Sequence, residues 1–293
     1  MSVLRSVRRM IHGVLALNLA VVIRAVRFGL NDANRKLVAS YFEIDPLHGL
    51  EYRDLESIPA VSLESLLHSP PMILVDGTHA YVDGSIPSRD LLPLLALLVD
   101  RAPQVVLEVG TFHGMTTRLM ARNLPGAKIH TVDLPEELPD TSAQPSALLP
   151  KDDFHLISSR RLGHAYRSDP SVKNVVQHAE DTAVWDFGAA EDATFFFIDG
   201  SHTYEYAKND SLKSLAACAG RCGTIVWHDC NRIHPGVTRW LAEMIADGFP
   251  IQRIEGTDLA VLDYDGQRRV AGRDNSLTGS RAPALNGKGS LHA

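Results

Sequence analysis

The sequence predicts a doubly wound α/β domain built on a mostly parallel sheet. From Leu91 onward, short apolar runs alternate with amphipathic stretches, the order expected when helices pack on both faces of a parallel sheet. The runs at 105 to 109, 128 to 132, 175 to 178, 194 to 198 and 224 to 227 are short, apolar and rich in strand-forming residues. Strands buried on both faces lack polar alternation. A third observation is that Glu108, Asp133, Asp199 and the His228–Asp229 pair stand at the ends of such runs, the edge where open α/β sheets bind ligands.

Residues 1 to 90 read as an N-terminal extension of helices and loops, punctuated by Ser69-Pro70-Pro71 and by the Gly and Pro of 83 to 88. Its first 30 residues are basic and apolar. The longest nearly uncharged stretch, 10 to 23, holds 14 residues, short of the roughly 20 that span a bilayer. Arg5, Arg8, Arg9, Arg24 and Arg27 flank it, so a helix packed on another copy of the chain is expected ahead of one on a membrane surface.

The domain itself is expected over 91 to 266. It opens with an apolar helix before Pro103 and closes with an amphipathic helix after Trp240. A hairpin at 251 to 254 and 260 to 262 is expected at the sheet edge. Between the second and third strands lies a long connection, Pro135 to Lys173, of a length that is uncommon unless functional. The Gly-, Ser-, Arg- and Asn-rich tail, 267 to 293, is expected to be disordered.

The 293 residues carry a net charge of −6, which gives a nucleic-acid partner no global support and favours small-molecule chemistry. Three cysteines, Cys218, Cys222 and Cys230, fit reduced thiols in a cytoplasmic protein. Cys218 and Cys222 are spaced as neighbours on one helix face.

The stretch VVLEVGTFHGMTTRLMA, 105 to 121, reads as strand, loop and helix, with Gly110 and Gly114 separated by three residues. A nicotinamide cradle would have GxGxxG, and a carboxylate at Glu108 would repel a pyrophosphate. A cofactor offering an ammonium group suits the loop better, and S-adenosylmethionine (SAM) is such a cofactor. Asp133, ending the second strand 25 residues later, is placed to accept both ribose hydroxyls. Thr111 and Leu134 belong to the same contact set. Asp181 and Thr182, after the third strand, are expected at the adenine edge; an N-cap is their alternative reading.

In FFFIDGSHTYEYAKND and GTIVWHDCN, Asp199, His202, His228 and Asp229 follow the fourth and fifth strands and should converge near the methyl group. His202 suits the general base that a hydroxyl acceptor requires. Asp199 and Asp229 suit a divalent cation. His234, before Pro235-Gly236, reads chiefly as part of a turn, and Ser85 to Ser88 as a loop that closes over the cofactor. Cys230 and the tryptophans are assigned to packing.

With these residues in view, 91 to 263 resembles the Rossmann-like class I SAM-dependent methyltransferases, and more narrowly the subgroup that includes macrolide-sugar O-methyltransferases and cephalosporin-hydroxylase-type proteins. The resemblance implies a seven-stranded sheet, Glu108, Gly110 and Gly114 around the methionyl part, Asp133 on the ribose, Asp181 near adenine and His202 as base. Metal-using relatives would match Asp199 and Asp229 and add an acidic residue where this chain has His228. That departure disfavours magnesium, less so manganese or zinc. Without a metal, His202 and His228 would share proton handling and Asp229 would orient one of them. The long connection corresponds to a region that covers the substrate, and it carries Arg160, Arg161 and His164.

The expected function is thus methyl transfer from SAM to a hydroxyl of a small molecule or natural product, a sugar among the candidates, with a divalent cation (magnesium or manganese) as an optional helper. A homo-oligomer joined through the N-terminal helices is expected. A hydroxylase of the same fold and a non-catalytic scaffold are the alternatives.

Overall fold

The computed structural model describes residues 51–75, 85–136 and 160–266, and from Arg53 on these belong to one compact unit. The basic N-terminal stretch, the centre of the long connection and the tail lie outside the described residues. Among the described residues no helix is long and apolar enough to cross a membrane.

In chain order the elements are α1 (Glu51–Ser57), β1 (Ala60–Val61), α2 (Leu63–Leu66), α3 (Ser88–Arg101), β2 (Val105–Val109), α4 (Met115–Asn123), β3 (Lys128–Asp133), α5 (His164–Arg167), β4 (Val175–Ala179), β5 (Phe195–Ile198), α6 (Tyr204–Ala217), β6 (Gly223–Trp227), α7 (Pro235–Ala246), β7 (Gln252–Ile254) and β8 (Ala260–Tyr264). The sheet runs β1-β7-β8-β6-β5-β2-β3-β4. Its pairs are parallel except β6 with β8 and β7 with β8.

The central strands match their sequence boundaries to within a residue because burial on both faces leaves no ambiguity. In β5, Phe196 and Ile198 face the core formed with α6 and α7. Phe195 and Phe197 face the opposite core, formed with α3 and α4. Successive side chains of a strand point to opposite faces, so an unbroken FFFI run fills both layers.

Two expectations about the sheet change. An eighth strand, β1, joins the seven expected: the Arg253 N–H donates to the Pro59 carbonyl at 2.7 Å and the Glu255 N–H to that of Val61 at 3.0 Å. Two residues are too few to show a period, which is why 53 to 75 reads as loop and helix in the sequence. The hairpin is also not at the edge, since β8 inserts between β6 and β7 and β1 covers β7. Cys218 and Cys222 do not share a helix face either. Helix α6 ends at Ala217, Gly220 (φ 78°) turns the chain, and Cys218 is buried while Cys222 is exposed.

The strand order reverses between β2 and β5, where loops leave toward opposite sides. That crevice is the topological switch point at which open α/β sheets hold ligands.

Candidate active site

A cavity of about 410 Å³ opens at the switch point, lined by the ends of β2, β3, β5 and β6 and by the start of α3. Of the cofactor residues expected from sequence, Gly110, Asp133, Leu134, Asp181, Thr182 and Asp199 line it, as do His202, His228 and Asp229. Ser85, Ile86 and Pro87, from the loop before the domain's first helix, and Arg89, from the first turn of α3, form part of the wall.

Glu108, Thr111 and Gly114 are absent from the wall, so the sequence reading of these three changes. Glu108 is fully buried beneath the loop. Its Oε2 accepts the hydroxyls of Thr117 and, at 2.6 Å, Thr131, while Oε1 has no partner among the described residues. Burial pushes its carboxyl up to about 8, against the lowering effect of the two threonines. A strand-end carboxyl aimed at a cofactor would be solvated from the cavity; this one ties β2, β3 and α4 together. Thr111 likewise bonds the Thr131 hydroxyl at 2.6 Å and accepts from Gln177.

The two glycines serve close packing of the chain itself. Gly110 has φ 98°, and a Cβ there would lie 2.0 Å from the Asp199 carbonyl oxygen; only glycine lets β2 turn against the end of β5. At Gly114 (φ 77°) a Cβ would meet the Tyr166 ring at 2.7 Å. The segment 160 to 167 lies over this loop, its Gly163 and Ala165 N–H groups donating to the Phe112 and His113 carbonyls.

Asp133 is held by the Phe112 N–H at 2.8 Å, the Leu134 N–H at 2.7 Å and the Arg160 guanidinium at 3.0 Å. Burial raises its carboxyl, and Arg160 and the backbone N–H groups counter it. Arg160, from the long connection, also donates to the Leu134 carbonyl. Asp181 caps the turn that follows β4, accepting the Ala183 N–H at 2.8 Å, and takes the Tyr206 hydroxyl at 3.0 Å. The cap and the cavity position therefore coexist. Asp210, buried in the same wall, is raised to about 6 by desolvation.

The densest chemistry is the histidine–carboxylate cluster after β5 and β6. His202 Nε2 lies 2.7 Å from Asp229 Oδ2. His228 is enclosed by three carboxylates: Nε2 is 3.1 Å from Asp90 Oδ2, and Nδ1 is 3.0 Å from Asp199 Oδ1 and 3.1 Å from Asp229 Oδ2. Burial opposes its cation, yet Asp199, Asp229 and Asp90 raise it well above the ordinary histidine range. Burial likewise opposes charge on Asp229, but the bonds from His202 and His228 hold its carboxyl well below the usual range. Asp199 is lifted by burial even with His228 beside it.

Three features here escape the sequence reading. Asp90, in the first turn of α3, is fully buried and bonds both His228 and the Asp258 N–H; the only signal was a carboxylate entering an otherwise apolar helix. His234 is more than part of a turn: its ring lies against that of His202, centroids 4.0 Å apart and planes tilted by 34°, and its Nε2 is 3.5 Å from Asp229 Oδ1. Gly236 makes that contact possible, because a Cβ there would lie 2.5 Å from the His202 carbonyl and 2.6 Å from the Tyr204 nitrogen. Asp229 itself adopts φ 59°, a left-handed conformation unusual for a non-glycine residue and often found at functional sites.

The donor set suits a cationic cofactor. Glu180, Asp133, Asp181 and Asp199 line one cavity, able to accept hydroxyls and an ammonium group but hostile to a pyrophosphate. His228 Nδ1 lies 3.0 Å from Asp199 Oδ1 and 3.1 Å from Asp229 Oδ2, so an ion between these carboxylates would meet an imidazole nitrogen, a donor that magnesium takes poorly.

Residues 107–230 match a family model described as a methyltransferase domain. No curated protein sequence matches the chain significantly. Among solved structures, the O-methyltransferase NovP is similar with a TM-score of 0.46 at 16% identity, over 60% of this chain and 79% of that one. The O-methyltransferase from Bacillus cereus in complex with SAH gives 0.39 at 15%, over 79% and 97%. The O-methyltransferase TomG from Streptomyces achromogenes, in complex with SAM, gives 0.39 at 16%, over 78% and 95%. The matched residues run from β2 to the turn after β6 and include most of the side chains that line the switch-point cavity. Residues 107–230 are thus similar to a methyltransferase domain, set on a mostly parallel sheet with a switch point between β2 and β5.

Proposed function

We propose that the protein methylates a hydroxyl of a small molecule, a natural product or sugar being the class expected, with His202 as general base. The observation that carries this reading is the 2.7 Å contact between His202 Nε2 and Asp229 Oδ2 at the cavity wall. A buried carboxylate on one ring nitrogen fixes the tautomer and stabilises the cation formed when the other nitrogen takes a proton.

SAM, when bound, supplies an electrophilic methyl group on a sulfonium. Asp133 binds the ribose hydroxyls, with Arg160 and the Phe112 and Leu134 N–H groups keeping its carboxylate in place. Asp181 and Thr182 would face the adenine, and Asp199 the methionyl ammonium. His202 Nδ1 would take the acceptor's hydroxyl proton when that oxygen receives the methyl group, S-adenosylhomocysteine being the leaving product. His228, held between Asp90, Asp199 and Asp229, keeps Asp229 aligned on His202. Orientation at a fixed distance supplies much of the acceleration.

The test is formation of S-adenosylhomocysteine with a panel of hydroxylated acceptors. Once an acceptor is found, His202→Ala should lower kcat by about 10²- to 10⁴-fold, the usual contribution of a general base. Undiminished turnover in that variant would refute the role of His202.

A further inference from the structure

His202, Asp229 and His234 form a second cluster of ligand atoms, which shares Asp229 with the set that would hold a hard cation in metal-using relatives. One ligand atom from each lies within 4.8 Å of the others. His202 Nε2 is 2.7 Å from Asp229 Oδ2 and His234 Nε2 is 3.5 Å from Oδ1. These separations bracket the about 3.3 Å between ligands of a tetrahedral ion with bonds near 2.0 to 2.1 Å.

We propose that His202, His234 and Asp229 bind a borderline transition-metal dication, of the zinc or cobalt class, in a two-histidine, one-carboxylate site. Two imidazoles and a carboxylate select such ions over magnesium, which demands oxygen ligands. Three protein ligands leave a fourth position open to water or to a substrate oxygen. The side chains of His202 and His234 are 28% and 26% exposed, so an ion reaches them from the cavity.

The fold builds this triad deliberately. Asp229 turns the chain back at φ 59°, and Asn231 Oδ1 accepts the Ile233 and His234 N–H groups at 2.9 and 3.0 Å. Gly236 then lets α7 abut the His202 loop. Asp229 serves both histidines, its Oδ2 meeting His202 and its Oδ1 pointing to His234.

The site stands without the proposed methylation chemistry, but it has a consequence for it: an ion on His202 takes away the nitrogen pair that handles the proton, so zinc should inhibit and a chelator should restore activity. Binding is read directly, without activity, by titrating Co²⁺ into the full-length protein and following its visible absorption, with Zn²⁺ competing. The expected result is one Co²⁺ per chain with a four- or five-coordinate spectrum. His234→Ala and His202→Ala should each weaken binding by at least tenfold, and Asp199→Asn should leave it within a few-fold. His234→Gln, which removes the ligand and keeps bulk, guards against misfolding, checked by thermal melting. No stoichiometric binding, or binding that survives in the His202→Ala/His234→Ala double variant, would overturn the proposal. Loss in Asp199→Asn with retention in His234→Ala would move the ion to the other set and overturn it equally.

Discussion

Replacing Glu108 by Gln isolates one titration from the rest of the molecule. The Glu108 carboxyl is fully buried, with one oxygen unpartnered and its value raised from 4.5 to about 8. A group whose value is raised on folding stabilises fully at pH below its unfolded value, and that contribution is lost as pH rises toward the folded value. The window is therefore about pH 4.5 to 8, with a slope near 1.4 kcal/mol per pH unit. Between pH 5 and pH 7 the wild type should lose about 2 to 3 kcal/mol through this group alone. Glu108→Gln has no proton to lose. Its amide faces a buried position with too few acceptors, at a pH-independent cost of about 1 to 3 kcal/mol. Urea unfolding at pH 5, 6, 7 and 8 should show the variant less stable at pH 5 and level with, or above, the wild type at pH 8. Asp210, His130 and His178 titrate in both proteins and cancel in the difference. Parallel stability–pH curves would refute the buried, protonated Glu108.

Further expectations follow from the site. Asp229→Asn removes the carboxylate that orients His202 and should lower kcat by about 10²- to 10⁴-fold with a smaller change in KM; stopped assays at saturating SAM distinguish the two. Gly236→Ala places a Cβ 2.5 Å from the His202 carbonyl and should cost about 1 to 3 kcal/mol, read as a lower Tm together with reduced turnover. Asp90→Asn leaves His228 with one fewer anion, so its imidazole should titrate at lower pH, visible by NMR of the ring protons. Residues 1 to 50 are expected from their basic, apolar sequence to join copies of the chain, and their deletion should lower the mass measured by light scattering.

Much of the site was legible because its residues sit at strand ends, and buried parallel strands are written plainly in sequence. Asp133, Asp199, His202, His228 and Asp229 fall where the runs stop, and all line the cavity. Glu108 and Gly114 stand outside the cavity wall while Gly110 lines it, and the sequence does not separate them, because a strand-end carboxyl and a positive-φ glycine look alike whether they face a ligand or neighbouring chain. Asp90 and His228 are 138 positions apart, and no periodicity encodes a contact at that separation. Arg160 emerges from a connection with no pattern of its own, and the His202–His234 contact depends on the backbone approach at Gly236. β1 is too short to register.

The central claim is that SAM occupies the switch-point cavity with its ribose on Asp133, and calorimetric titration of wild type and Asp133→Asn tests it most directly. The wild type should bind SAM and S-adenosylhomocysteine at one per chain and not NAD. The variant should bind both about 10- to 100-fold more weakly, the loss expected for hydrogen bonds to a charged group. Absence of binding to the wild type, or equal affinity in the variant, would contradict the account.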